Sequence, residues 1–279
     1  MPEGPEVRLL CTQLSTLLTG MRLERIEIYG GPIATSTAPR YTSLRASLEA
    51  WRGATITRIH PHGKTMFWET TIDQVLVSHL GMEGTFSEEK TKHALLALVF
   101  SGKTPRTVYF NDSRRFGTVG VRGRAEAKKD EKRLGPDILE FDDWPEVIEK
   151  ILHTRSKTEV STKLLDQSFV AGIGNYLRCD ILYAAHLSPY RKFSDLTEGE
   201  RTALMLAVLN VPAKAWRAAR ATLDASPDRH GRRFAPKKVP LDQRYVTAVY
   251  QKKVTAGGHP IEAIKQGGRT VWWCPSEQT

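Results

Sequence analysis

Met1-Pro-Glu-Gly-Pro-Glu-Val-Arg-Leu-Leu10 opens the chain, and the rest is read outward from it. Val7, Leu10, Cys11, Leu14, Leu17 and Leu18 recur at helical spacing, and Gly20 supplies a stop. The spacing predicts an amphipathic helix with Pro2 and Glu3 at or just before its positive end. Removal of Met1 would leave the secondary amine of Pro2 as the terminus. Such an amine attacks a sugar aldehyde carbon and gives a cationic imine, the electron sink of covalent carbonyl chemistry. Glu3 stands beside it as a candidate proton donor. The helix dipole favours the neutral amine, whereas Glu3 and Glu6 oppose it. Pro2 also suits a first helical turn, so the stretch alone carries a structural and a chemical reading.

Composition narrows the choice. The 279 residues suffice for two ordinary domains, and 40% hydrophobic content allows real cores. No apolar run is long enough to span a bilayer, and the start lacks a basic-then-apolar secretory pattern. Cys11, Cys179 and Cys274 are too few and too scattered for a disulfide framework, which fits a reducing, intracellular setting. Lys and Arg total 41 against 31 for Asp and Glu, a net charge of +10 that favours a polyanionic partner. Lys214, Arg217, Arg220, Arg229, Arg232, Arg233, Lys237 and Lys238 cluster against only Asp224 and Asp228. On charge alone this is either a solvated loop or a phosphate-facing surface.

Alternation predicts strands over 22–29, 54–60, 65–70, 74–79, 93–100, 107–110 and 118–122. The charged run 124–133, followed by Leu134-Gly-Pro-Asp137, reads as a linker. Helical patterning then covers 144–152, 161–165, 175–185 and 198–209, with Thr197 and Glu200 at capping-box spacing. Residues 225–242 read as an irregular basic loop and 246–252 as a strand. A last hairpin runs from 259–265 through Gln266-Gly-Gly-Arg269 to 270–274. The order is β-rich, then helical, then a hairpin: an α+β chain divided at 1–133, 134–245 and 246–279.

Met1–Glu6, His62-Gly-Lys64, Ser78-His-Leu-Gly-Met82, Asp112-Ser-Arg-Arg-Phe-Gly117, Gly172-Ile-Gly-Asn-Tyr-Leu177 and Gln266-Gly-Gly-Arg269 follow in order. Together they resemble the formamidopyrimidine-DNA glycosylase and endonuclease VIII family of base-excision repair enzymes, over nearly the whole chain. Gly4 and the Gly172–Leu182 stretch are most similar to endonuclease VIII-like members. The resemblance implies an N-terminal β-sandwich with flanking helices, a helix-two-turn-helix domain and a β-hairpin finger. It implies that Pro2 is the Schiff-base nucleophile, Glu3 the proton donor and Lys64 a required lysine on a β-turn. By the same resemblance His79, His93, Arg115, Lys163 and Asn175 lie near DNA phosphates. Met82, Arg114 and Phe116 match residues that fill the gap left by a flipped base. Read without the family, Lys64 is a solvated turn lysine, and Met82 and Phe116 are core residues. Arg269 matches the finger arginine, whose fork suits phosphate and which assists the second strand-cleavage step.

Most relatives hold the finger with a zinc ion on four cysteines. The aligned positions here are Val254, Gly257, Cys274 and Glu277, so the expectation is a zincless finger and no metal or organic cofactor. Val254, Trp272 and Trp273 are expected to pack where the metal is missing. No counterpart of the damaged-purine loop is visible, which favours oxidised pyrimidines. The expected function is a monomeric glycosylase and abasic-site lyase acting on damaged duplex DNA. It would work by β,δ-elimination in a nucleus or a bacterial cytoplasm, away from membranes. The alternatives are a non-catalytic damaged-DNA-binding protein, an 8-oxoguanine- or formamidopyrimidine-preferring glycosylase, or an RNA binder sharing only the helix-two-turn-helix.

Overall fold

The computed structural model describes residues 2–224 and 245–279. They fall into two compact units, one mainly of residues 6–132, the other of residues 3–5, 133–221 and 245–279. The hairpin at the end of the chain clusters within the second unit.

In the first unit, helix α1 (Gly4–Leu18) precedes strand β1 (Arg22–Ile28) and helices α2 (Pro32–Thr35) and α3 (Pro39–Ala50). Seven strands follow: β2 (Ile56–His62), β3 (Thr65–Thr70), β4 (Gln74–His79), β5 (Thr85–Ser87), β6 (Ala94–Ser101), β7 (Arg106–Asn111) and β8 (Thr118–Gly123). They form two four-stranded antiparallel sheets, β1-β6-β7-β5 and β2-β3-β4-β8. Val7, Leu10, Cys11, Leu14 and Leu18, the stripe predicted from the opening residues, pack into one core with Trp68, Phe86 and Phe110. This is the expected sandwich with its flanking helix.

Several elements differ from the sequence reading. Helix α4 (Arg124–Lys132) stands where a linker is expected. Its apolar anchor is Ala127, buried with Phe67 and Val75 on the outer face of the second sheet. Glu126 and Asp130 approach the Arg122 guanidinium at 3.6 and 3.7 Å, so its charges are partly paired. Helices α2 and α3 lie in a stretch with no strong apolar stripe, each beginning on a proline at a first-turn position.

The second unit contains α5 (Trp144–His153), α6 (Val160–Lys163), α7 (Asn175–Ala184) and α8 (Glu198–Asp224). Its core joins Val147, Ile151, Leu177, Ile181, Phe193, Leu204 and Val208. The predicted capping box at α8 is formed. The Glu200 N–H donates to Thr197 Oγ1 at 3.2 Å, and the Thr197 N–H to Glu200 Oε2 at 2.7 Å. The helix continues past the expected end through Pro212, because buried Leu209 and Ala215 flank the lost hydrogen bond. The predicted basic loop at 225–242, with Arg229, Arg232, Arg233, Lys237 and Lys238, lies outside the described residues.

Residues 246–252 do not form the expected strand. The buried Asp180 carboxylate instead accepts the N–H groups of Ala248, Val249 and Tyr250, at 2.8, 3.1 and 3.4 Å, and the Tyr245 hydroxyl at 2.7 Å. Backbone donors that a sheet would use are spent on one side chain. Strands β9 (Glu262–Gln266) and β10 (Arg269–Trp273) close the chain as a hairpin. Gly267 and Gly268 at its turn have φ of 58° and 72°, the left-handed pair that a tight two-residue hairpin demands. Among the described residues no helix is long and apolar enough to cross a membrane.

Candidate active site

The second unit holds Glu3, Asn175, Lys163 and Arg269. Glu3 is 1% exposed although it is a carboxylate two residues from the chain start. Its Oε2 accepts the N–H groups of Gly174 and Leu177 at 2.9 and 3.1 Å, and its Oε1 that of Tyr176 at 2.8 Å. The Gly4 N–H donates to the Gly172 carbonyl at 2.9 Å, and a Cβ on Gly4 would lie 3.2 Å from the Gly172 Cα. The opening segment and the Gly172–Leu177 motif, far apart in sequence, thus make one structure. Glu3 caps the positive end of α7 and satisfies three orphan amides there. Such donors favour the ionised carboxylate.

Asn175, at the start of α7, is buried. Its Nδ2 donates to the Thr270 carbonyl in the finger at 2.9 Å, and its Oδ1 accepts from Arg178. Arg269 is exposed at the first position of β10, opposite Gln266. Lys163 in α6 pairs with Asp166 at 2.8 Å and lies over the Phe169 ring. Tyr176, Tyr245, Tyr250 and Trp272 form a run of aromatic contacts beside these groups, with centroids 4.7 to 6.3 Å apart.

The first unit holds Pro2, Lys64, His79, Met82, His93, Arg114, Arg115 and Phe116. Lys64 follows Gly63 (φ 57°) in the β2–β3 turn. His79 faces it: its Nδ1 meets Thr65 Oγ1 at 3.3 Å. Desolvation holds the His79 pKa below its usual value, and the neighbouring Lys64 ammonium acts the same way. Met82 and Phe116 sit on two loops in backbone contact, since a Cβ on Gly81 would fall 2.5 Å from the Phe116 carbonyl carbon. Phe116 is 56% exposed, not a core residue, and the Arg114 guanidinium lies 5.1 Å from its ring centre. Asp112 shapes this loop by accepting the Arg114 N–H at 3.1 Å and the Gly117 N–H at 2.6 Å. Arg115 takes a left-handed φ of 58°, its guanidinium against Gly30 and Gly31. The His93 carbonyl accepts the Asp112 N–H at 3.1 Å, which ties His93 to the same loop.

The four positions aligned with zinc ligands do not fit a metal. Val254 and Gly257 offer no donor atom, and the Glu277 carboxylate accepts the hydroxyls of Tyr183 and Thr255. Among the described residues no three His, Cys, Asp or Glu side chains are grouped to hold a metal ion. Val254 differs from its expected packing role: it is 50% exposed and bridges to Pro260 through its backbone. Trp272 packs edge-on against Tyr250 and Trp273 against Tyr190.

Comparison with known proteins gives these features a context. Residues 1–119 match the family model of the formamidopyrimidine-DNA glycosylase N-terminal domain, and residues 134–227 match that of its H2TH domain. A formamidopyrimidine-DNA glycosylase of Thermus thermophilus is 33% identical over 285 residues, covering 100% of this chain and 98% of its own. The chain belongs to the formamidopyrimidine-DNA glycosylase family. Its fold is shared with Lactococcus lactis Fpg (MutM) in complex with DNA containing an oxidised pyrimidine: TM-score 0.77, 25% identity, 100% of both chains. A MutM structure with DNA containing carbocyclic 8-oxoguanine matches equally, again at TM-score 0.77, 25% identity and full coverage. Family members therefore hold both an oxidised pyrimidine and an oxidised purine on this scaffold.

The sequence reading quoted the segments holding Asp112, Arg178 and Asp180 but assigned these three residues no role. Arg178 could have been found from its i,i+3 spacing to Asn175, which places both on one side of α7.

Proposed function

We propose that the chain is an endonuclease VIII-like, bifunctional DNA glycosylase and abasic-site lyase of base-excision repair. It acts inside the cell as a monomer on damaged duplex DNA and prefers oxidised pyrimidines. The observation that carries this reading is the carboxylate of Glu3, fixed by three backbone N–H groups in the position next to Pro2. Besides capping α7, this arrangement fixes a proton carrier on the residue that follows the candidate nucleophile.

In this reading Pro2, freed of Met1, attacks C1′ of the flipped nucleotide. The C1′–base bond breaks and its electron pair leaves with the base. Two protons are needed, one for the base and one for the ring oxygen that becomes a 4′-hydroxyl. One is the Pro2 N–H proton, relayed by the Glu3 carboxylate, and the other comes from solvent. The imine then acidifies C2′. Loss of that proton expels the 3′ phosphate, and a second elimination expels the 5′ phosphate, leaving a one-nucleotide gap.

The other residues act on the DNA. Lys64 serves the catalysis from its β-turn, His79, His93, Arg115, Lys163 and Asn175 meet phosphates, and Arg269 clamps those beside the lesion and assists the second elimination. Met82, Arg114 and Phe116 fill the vacated stack; the exposed Phe116 ring and its Arg114 partner suit a wedge. The finger works without zinc, held by the Glu277 hydroxyl contacts and the Trp272–Tyr250 packing.

A second reading, an enzyme preferring 8-oxoguanine or formamidopyrimidine, draws support from the names and ligands of the relatives. Single-turnover excision from duplexes carrying thymine glycol, 5-hydroxyuracil or 8-oxoguanine decides between them. Faster 8-oxoguanine release would overturn the pyrimidine preference. No cleavage of any of these, nor of an abasic site, would overturn the enzyme reading.

A further inference from the structure

Arg178 takes no part in the chemistry proposed above, yet it is fully buried. An arginine is seldom buried without a carboxylate beside it, because the lost hydration must be offset. Its hydrogen-bond partners are neutral: Nη1 donates to Ser161 Oγ at 3.4 Å and Nη2 to Asn175 Oδ1. Among the described residues its Nε has no hydrogen-bond partner. Burial depresses its pKa, and the Arg269 guanidinium acts in the same direction, while Cys179 and the Glu3 carboxylate oppose them only in part.

The contacts of Arg178 lead to both sides of the finger turn. A guanidinium can only donate, so Oδ1 of Asn175 must face it, and Nδ2 must face the finger. That Nδ2 holds the Thr270 carbonyl, one residue past Arg269, at 2.9 Å. Ser161 Oγ, the acceptor for Nη1, donates to Gln266 Oε1 at 2.5 Å. Gln266 also donates to the Pro189 carbonyl at 3.0 Å and pairs with Arg269 across the hairpin. The turn is gripped at Gln266 and at Thr270, and Arg178 stands behind both grips.

We propose that Arg178 is a positioning residue for phosphate capture: it locks the Asn175 amide and, through Ser161 and Gln266, the turn that carries Arg269. This rests on Asn175 and Arg269 being phosphate contacts, as proposed above. The buried guanidinium then does for the finger turn what a metal does for a stapled one: it fixes the presented side chain before the ligand arrives.

The test uses the full chain and a duplex with a stable abasic analogue, with dissociation constants measured over a salt series. Arg178→Met should weaken binding about tenfold and flatten the log–log salt dependence by up to about one unit, as Arg269→Ala should. The double variant should bind no more than about threefold more weakly than Arg269→Ala alone, because both remove the same clamp. Arg178→Lys, which keeps the charge and loses the fork, should fall between wild type and Arg178→Met. Ser161→Ala, which spares the buried charge, should weaken binding in the same non-additive way and carries the test if Arg178→Met does not fold. Additive losses with Arg269→Ala, or a wild-type salt slope in a folded Arg178→Met or Ser161→Ala protein, would overturn this proposal alone. An unchanged Arg269→Ala affinity would overturn the clamp and this proposal with it.

Discussion

Glu3 fills the space where a side chain at Gly174 would stand: a Cβ there would lie 2.2 Å from the Glu3 carboxyl carbon. The backbone at 174 is extended (φ −119°, ψ −156°), so space rather than conformation demands the glycine. Gly174→Ala should therefore expel the carboxylate from the end of α7. Displacing a catalytic group by about 1 Å typically costs about 100-fold. Lesion excision should fall by at least that much, while the helical core keeps its circular dichroism. Excision near the wild-type rate would show that Glu3 need not occupy this site.

Covalent chemistry at Pro2 is tested by trapping. Borohydride with abasic-site DNA should freeze a protein–DNA adduct, and peptide mapping should place it on residue 2. A retained Met1 or an N-terminal tag should abolish the adduct. A strong adduct mapped to Lys64 in the intact protein would remove Pro2 from its role.

Glu3→Gln separates the two activities. Proton transfer by a positioned group is worth about 10²–10⁴-fold, and it matters most when the base departs. Base excision should drop within that range, whereas cleavage at a preformed abasic site should change by less than about tenfold. Equal losses in a folded variant would count against the relay.

The finger makes a third kind of prediction. Metal analysis should find no stoichiometric zinc, and chelators should leave activity and melting temperature unchanged. Arg269→Ala should nonetheless weaken DNA binding and flatten its salt dependence by at most about one log–log unit. Zinc in stoichiometric amount would reverse the reading of this hairpin.

His79 gives the stability a pH dependence of known sign. Its folded pKa lies below the ordinary 6.5, chiefly because burial disfavours the charged ring. As pH falls below 6.5 the unfolded chain takes up the proton first. The contribution of His79 is thus complete above that pH and is lost as pH drops through the lower folded value. His79→Asn should make melting temperature less sensitive to pH in that window. An unchanged slope would mean that the imidazole is not desolvated.

The parts of the fold that rest on simple periodicity were legible. Strands Thr65–Thr70 and Gln74–His79 lie where alternation put them, and the Val7–Leu18 stripe packs as read. Elements held by other means were not. Helix α4 has one apolar anchor, Ala127, in a run of charges. The 246–252 segment has strand composition, but Asp180 takes its amides. Motif order pointed to Glu3 and Asn175, yet nothing in the sequence says that Glu3 caps α7. Arg178 is invisible to composition, because an arginine in a helix ordinarily reads as surface.

The apolar support of the finger is small and borrowed. Val271 and Ile264 of the hairpin meet Val249, Tyr250 and, from α7, Cys179 and Tyr183 in one cluster. A hairpin of two five-residue strands is marginal by itself in water. A finger stapled by metal carries its folding energy inside its own loop and can be moved between proteins as a cassette. This one cannot. Residues 259–274 excised as a peptide should be unstructured, and a graft onto another scaffold should need α7, with Asn175 and Arg178, transplanted alongside. The heritable unit here is the helix and the hairpin together, although residues 185–261 lie between them in the sequence.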